Sequence, residues 1–218
     1  MQVLHNKQVL IFAIHRTIGW WRYLGENLGC SRFTIVTDLR GEGDISVVDR
    51  FYQHLKKYNR KESGEFELLS ETQIVDIIAR CRVLRWLKET RARNIIKAMA
   101  AALNEAIEAG KPDIIVSLPI DRYTTDILDR LAQARGIPYV QLTASVLPGM
   151  SMLMQRGRGV LVEETPSDAV IQQHENTLIQ PSFLPSYIPE SAHYTLARFM
   201  KTLAYFKIRG WAFKGISY

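Results

Sequence analysis

Four short runs of apolar residues are continuous along the chain instead of alternating with polar ones. They occupy residues 8–14, 33–38, 113–118 and 139–143 and are rich in β-branched side chains. Strands with this pattern are typically buried on both faces, as in parallel sheets that are covered by helices. We therefore predict four buried parallel strands.

Helical spacing of apolar positions fills the intervals between these runs. It predicts helices over about residues 20–28, 45–58 and 121–135, with Asp44 at the start of the second. Residues 71–109 carry one apolar stripe, which predicts either one long helix or two helices with a bend. The alternation predicts an α/β fold, in the form of a doubly wound, Rossmann-like, mostly parallel sheet with helices on both faces.

The pattern changes after residue 147. Residues 150–155 and 159–163 predict either a hairpin or an irregular loop between two strands. Three prolines make residues 177–190 an extended connector, and residues 191–209 have the pattern of a basic, aromatic-rich helix. The predicted organisation is a Rossmann-like domain over residues 1–176, a connector over 177–190 and a basic aromatic tail over 191–218.

Charge is concentrated in that tail. The 218-residue chain has a formal net charge of +6, and residues 191–218 contain five Lys and Arg residues and no acid. Such a tail suits anionic lipid headgroups, and packing against the rest of a longer or oligomeric protein explains it equally well. We place the protein in the cytoplasm, with the inner face of the membrane as its possible docking surface.

Several common chemistries have no motif in this chain. Two cysteines, Cys30 and Cys81, exclude a disulfide scaffold and a cysteine-built zinc site, and two buried thiols are expected. No P-loop, HExxH or GxSxG motif occurs, and the histidines are scattered singly. We predict neither a metal site nor a cofactor.

Polar residues follow all four predicted strands. Ligands of open parallel sheets bind beyond the carboxyl ends of the strands, where loops converge and helix N-termini point inward. The positions selected in this way are His15, Arg16, Asp38, Asp121, Arg122, Thr143 and Ser145.

Three of these positions also have a structural interpretation. His15 and Arg16 suit an anion or a sugar hydroxyl, but His15 can equally cap the following helix while Arg16 is solvated. Asp121 suits a general base that takes a hydroxyl proton, or it caps a helix together with Thr124 and Thr125. For these residues the functional and the structural interpretation both stay open.

Three further segments carry weaker signals. Residues 40–44, RGEGD, contain a GxG that more simply predicts a turn. Arg156 and Arg158 offer two guanidinium groups to phosphate or carboxylate, or lie in a hairpin turn. The basic residues around Trp86, from Arg80 to Lys97, predict a solvated helix face, and nucleic-acid binding there is the last-ranked alternative.

Three segments carry a resemblance to a known family. They are KQVLIFAIHRTIGWWRYLGENLG at the first strand, PDIIVSLPIDRYTTDILDRLAQARGIPYVQL in the later βαβ unit and VLPGMSMLMQRGRG after it. Over residues 7–165 the chain resembles the N-terminal, acceptor-binding half of a GT-B glycosyltransferase, and more narrowly bacterial capsular or surface polysaccharide biosynthesis proteins.

The resemblance implies a division of labour. Asp121 or His15 would activate the acceptor hydroxyl, and acceptor sugars or acidic groups would be held by a set of polar residues: Arg16, Asp38, Arg122, Thr143, Ser145, Arg156 and Arg158. In the family a second domain binds the nucleotide-sugar, and 218 residues leave no room for it. The chain is therefore expected to be a half enzyme, inactive alone, that binds a glycan or lipid-linked acceptor.

A different class of function fits the same fold. The alternative is a non-catalytic Rossmann-like module that binds a nucleotide or an acidic metabolite at the strand ends and attaches through its basic tail.

Overall fold

A computed structural model describes residues 6–14, 17–27, 29–60, 66–119, 122–144, 151–155 and 167–179, and further on residues 196–197, 200–201, 203–205 and 207–208. The strands in this part of the chain are β1 (Gln8–Ala13), β2 (Arg32–Thr37), β3 (Ile45–Ser46), β4 (Ile114–Ser117), β5 (Tyr139–Ala144) and β6 (Ser151–Gln155). They form one sheet in the order β3-β2-β1-β4-β5-β6. All neighbours are parallel except β5 and β6, which are antiparallel. The α/β class and the four parallel strands are confirmed.

The helices are α1 (Ile18–Asn27), α2 (Val48–Asn59), α3 (Glu71–Arg80), α4 (Glu89–Gly110), α5 (Tyr123–Ala134) and α6 (Asp168–Leu178). The apolar stripe over residues 71–109 is thus two helices, with a single 3-10 turn at Leu84–Trp86 between them. α3 begins with a capping box, in which the Ser70 hydroxyl accepts from the Gln73 N–H and the Gln73 side chain accepts from the Ser70 N–H. This confirms the second of the two alternatives for the stripe.

The central strand β1 is buried on both of its faces. Leu10 and Phe12 belong to the main apolar cluster, which α3, α4 and α5 cover. Val9 and Ile11 belong to a second cluster on the opposite face, where Trp21 of α1 packs. Burial of alternate residues on opposite sides explains the continuous apolar run that predicted this strand. Among the described helices, α1 is the one that packs against the second cluster. One helix on this face does not establish a doubly wound sheet, so that arrangement stays a prediction.

The prediction of a helix from residue 45 with Asp44 at its start is wrong. Ile45 pairs with Val36 as part of β3, and α2 begins three residues later at Val48. The Asp44 carboxylate instead accepts a hydrogen bond from the Ile35 backbone N–H at 2.8 Å and one from Arg22 at 3.0 Å. Because its acceptor oxygens bond to a neighbouring strand and to α1, Asp44 closes the turn after β2 and does not cap a helix.

Residues beyond β5 depart partly from expectation. Residues 151–155, within the first of the two predicted strands, form β6 and pair with β5. The second predicted strand, residues 159–163, lies outside the described residues. The sequence did not predict α6, whose last two residues fall inside the stretch assigned to an extended connector. In the region of the predicted C-terminal helix the described residues are helical, while the ends of that helix, 191 and 209, lie outside them.

A cluster of ion pairs fixes α5 against α3. Asp126 is buried and contacts Arg80 at 2.6 Å and Arg130 at 3.2 Å, and Arg130 also pairs with Asp76. Desolvation alone would raise the pKa of Asp76, but hydrogen bonds and charges from Arg130 and Arg80 outweigh it and the pKa lies below its ordinary value. The cluster sets the position of the first turn of α5, which follows β4.

The predicted turn at residues 40–44 is confirmed, and its two glycines allow a matched test. Both Gly41 and Gly43 have a φ of +70°, but only at Gly43 would an added Cβ lie 3.0 Å from the Ile35 carbonyl oxygen and the Thr37 methyl group. Gly41→Ala should cost about 1–2 kcal/mol, the left-handed penalty. Gly43→Ala should cost at least about 1 kcal/mol more because of the added overlap. Urea denaturation of both variants measures the difference, and equal midpoints would contradict the geometry.

Candidate functional site

The direction of chain winding reverses between β1 and β4. From β1 the chain proceeds to β2 and β3 on one side, and from β4 it proceeds to β5 and β6 on the other. Loops that leave two adjacent parallel strands in opposite directions leave a crevice between them at the carboxyl edge. The first described residues at this edge are Ile14 and Thr17 after β1, and Leu118, Pro119 and Arg122 after β4.

An ion pair crosses this crevice. Asp38 directly follows β2, Arg122 directly precedes α5, and the Arg122 Nη1 lies 3.5 Å from the Asp38 Oδ2. Because β1 lies between β2 and β4, the pair joins the two sides of the sheet over the end of β1. Both side chains are partly buried, so their charges are only partly screened by water. The structure therefore brings together two of the residues that the strand-end rule selected.

Tyr123 adds a neutral phenol beside this pair. Burial, together with smaller contributions from the nearby side chains of Cys81, Asp38 and Tyr52, raises the pKa of Tyr123 to about 12, and Arg122 opposes this shift. A phenol in this state keeps its proton at neutral pH and remains a hydrogen-bond donor. Residues from α2, α5 and the segment after α3 thus converge beside Asp38.

Two helices begin at the same edge. At α1 the Thr17 hydroxyl donates to the Ile14 carbonyl at 2.5 Å, and the Trp21 N–H donates to the Thr17 carbonyl at 3.0 Å. At α5 the Thr125 hydroxyl donates to the Arg122 carbonyl at 3.0 Å. Both helix N-termini therefore direct their partial positive charge toward the crevice.

The buried hydroxyl of Thr124 lies in the first turn of α5. Its oxygen makes no hydrogen bond with any of the described residues, although the side chain is almost fully buried. A buried hydroxyl in this state is uncommon, and it leaves a polar group close to Arg122 that no contact among the described residues uses.

The remaining predicted site residues divide into two groups. Thr143 is half-buried near the carboxyl end of β5, opposite Met152 of β6, so it lies at the predicted edge but on the β5 side of the crevice. The others lie outside the described residues: His15, Arg16, Asp121, Ser145, Arg156 and Arg158. β6 ends at Gln155, opposite Val140 of β5.

A polar cleft of about 500 Å³ opens at the opposite end of β5, and the strand-end rule does not select it. Its lining is Gln73, Asp129, Arg130, Gln133, Ile137, Tyr139 and Gln155. The charged groups are engaged with neighbours on the protein, since Gln133 donates to Asp129 at 2.8 Å and Arg130 pairs with Asp126 and Asp76. We interpret the cleft as part of the contact between α3 and α5.

The expectation of two buried thiols is wrong. Both Cys30 and Cys81 are free and only partly buried. Desolvation raises the pKa of Cys30, and its backbone hydrogen bond opposes this. Among the described residues no group of three or more His, Cys, Asp and Glu side chains is placed to hold a metal ion.

No family model matches the chain, and no curated protein or solved structure is significantly similar to it. In the part of the chain that the structure describes, none of the helices is both long enough and apolar enough to span a bilayer.

The raised pKa of Tyr123 predicts how the stability of the fold changes at alkaline pH. The pKa of this phenol is about 12 in the folded protein and about 10 in the unfolded chain, so its contribution to the free energy of unfolding is fully present below pH 10. That contribution is lost as the pH rises from about 10 to about 12. In Tyr123→Phe the free energy of unfolding should fall less steeply across this window, as measured by urea denaturation at several pH values. The control Tyr23→Phe, which removes a phenol that is 68% exposed, should retain the steep decline.

Proposed function

We propose that this protein binds the acceptor in a glycosyl transfer for capsular or other surface polysaccharide synthesis. The observation that carries the proposal is the Asp38–Arg122 pair over the end of β1, at the point where the sheet reverses its winding. In open α/β sheets this is the position at which ligands bind.

The chemistry of the pair suits a sugar. A carboxylate accepts hydrogen bonds from hydroxyl groups, and a guanidinium group donates several in a fixed plane. Adjacent hydroxyls of a sugar ring present donors and acceptors at a matching separation. Tyr123 supplies a further neutral donor nearby, and the partial exposure of the pair keeps it accessible to a ligand.

The roles of other residues follow from the resemblance. Asp121 or His15 would take the proton from the attacking hydroxyl, and Arg16, Thr143, Ser145, Arg156 and Arg158 would position the acceptor. The nucleotide-sugar would bind to a second domain. We expect no transfer by this chain alone, because the donor must be presented from the other side of the cleft.

The proposal includes a finer description of the fold and its location. We infer a doubly wound sheet, a basic aromatic helix over residues 191–209, and a cytoplasmic protein whose tail lies on anionic lipid at the inner face of the membrane. The described residues of the tail support its contact with lipid, since Leu196, Leu203 and Ile208 are exposed and Lys201 and Lys207 lie among them.

A second function is favoured by one observation. The N-termini of α1 and α5 both point toward the crevice, and helix N-termini bind phosphate. A nucleotide or an acidic metabolite would use Arg122 together with these N-termini. The Asp38 carboxylate argues against an anion in the same place, and for this reason we prefer the sugar.

Calorimetric titration of the full chain tests the proposal. Oligosaccharide fragments and a lipid-linked acceptor should bind, while nucleoside mono- and diphosphates should not. Arg122→Ala should weaken glycan binding by about tenfold or more, since a hydrogen bond from a charged group contributes about 1.5–3 kcal/mol.

The matched control is Arg40→Ala. Arg40 lies two residues from Asp38, but its guanidinium is 67% exposed and pairs with Asp49 at 2.9 Å. Its removal changes the net charge by the same amount and should leave glycan affinity within about twofold. Binding of nucleotides and not glycans would favour the second function. Equal losses in both variants would show that only net charge matters, and would contradict the site.

A further inference from the structure

The segment between α3 and α4 repeats every three residues. Residues 82–88 read RVLRWLK, with cations at Arg82, Arg85 and Lys88 and apolar residues at the two positions between them. A 3-10 helix has three residues per turn, so residues three apart lie on the same side. Leu84–Trp86 form such a turn, which means that the sequence period and the backbone agree.

One apolar pair of this segment faces the core. Leu84 is 2% exposed, and Leu87 is partly buried against the main cluster. Backbone hydrogen bonds fix the turn, since the N–H groups of Arg85, Trp86 and Leu87 donate to the carbonyls of Cys81, Val83 and Leu84 respectively. The turn is therefore held in place from its inner side.

The other apolar pair faces away from the core. Trp86 is 69% exposed and Val83 is 42% exposed, although both are large apolar side chains. The Arg85 guanidinium lies 5.5 Å from the centre of the Trp86 ring, within the range of a cation–π contact. A fixed turn thus presents an indole and an aliphatic side chain outward.

Three cations surround this outward-facing pair. In the part of the chain that the structure describes, Arg82, Arg85 and Lys88 form no ion pair, whereas the neighbouring Arg80 and Arg93 pair with Asp126 and with Glu71 and Glu89. The acid that follows this segment, Glu89, is thereby occupied by Arg93. We call residues 82–88 the basic turn.

We propose that the basic turn docks the protein on an anionic lipid surface. Tryptophan is suited to the boundary between headgroups and acyl chains, since its ring is apolar and its N–H is polar. Three cations beside it would attract anionic headgroups. Nucleic acid could stack on Trp86, but Val83 offers no ring for a base, and lipid accounts for both exposed side chains. This inference does not depend on glycan binding.

Vesicle sedimentation of the full chain tests the proposal. The protein should bind phosphatidylcholine vesicles that contain phosphatidylglycerol and should bind pure phosphatidylcholine vesicles far more weakly. Trp86→Ala should reduce the partition coefficient several-fold, and a triple change of Arg82, Arg85 and Lys88 to Gln should reduce it on the order of fivefold for each cation. Binding should also weaken as salt concentration rises.

Trp20→Ala is the control. Trp20 is 48% exposed and lies in α1, which packs on the opposite face of the sheet. This variant should bind vesicles like the unaltered protein and should retain the blue shift of tryptophan fluorescence, whereas Trp86→Ala should lose the part of the shift that arises from Trp86. Since Trp86 and the three cations are exposed, thermal melts should confirm that the variants fold.

Two outcomes would overturn the proposal. Unchanged vesicle binding by Trp86→Ala and by the triple variant would assign the membrane contact to the tail over residues 191–218. Loss of single-stranded DNA binding in the same variants, with vesicle binding intact, would assign the basic turn to nucleic acid.

Discussion

The burial of β1 on both faces is the constraint on which the rest of the structure depends. Its side chains enter two separate apolar clusters, and it pairs with β2 on one side and β4 on the other. Residues 9–14 are apolar and buried, and a polar side chain among them would lose its contact with water and would need a partner inside the protein, so the polar residues that follow β1 begin after Ile14. The crevice lies at this carboxyl edge because the chain leaves β1 and β4 in opposite directions.

The ion pairs around Asp126 hold the second side of that crevice. A buried carboxylate between two arginines gains little net stability, because the cost of removing charges from water nearly offsets their attraction. What the cluster provides is a defined position, since Asp126 and Arg130 of α5 pair with Arg80 and Asp76 of α3. Arg122 lies one turn before Asp126, and the Asp126 N–H donates to the Arg122 carbonyl. The separation of Arg122 from Asp38 thus depends on this cluster.

The sequence predicted the features that depend on local pattern. Continuous apolar runs predict β1, β2, β4 and β5, and the strand-end rule selects both Asp38 and Arg122. The pairing itself depends on the strand order, in which β1 separates the two residues, and no local pattern encodes that order.

The errors arise where long-range contacts override local preference. Asp44 has the ordinary character of a helix cap, but its oxygens bond to Ile35 and Arg22, and a two-residue strand replaces the first turn of the predicted helix. The break between α3 and α4 contains neither glycine nor proline, the usual signals for a helix end. The change from a helical period to a period of three over residues 82–88 was the available signal for that break.

The same break joins the two proposed surfaces. The Arg80–Asp126 contact holds the end of α3 against the first turn of α5, and the basic turn starts two residues after Arg80. Cys81 lies close enough to raise the pKa of Tyr123. The basic turn therefore lies on the same side of the crevice as Arg122 and Tyr123. Docking of this turn on lipid would bring the carboxyl edge close to the headgroups, where a lipid-linked acceptor carries its sugar.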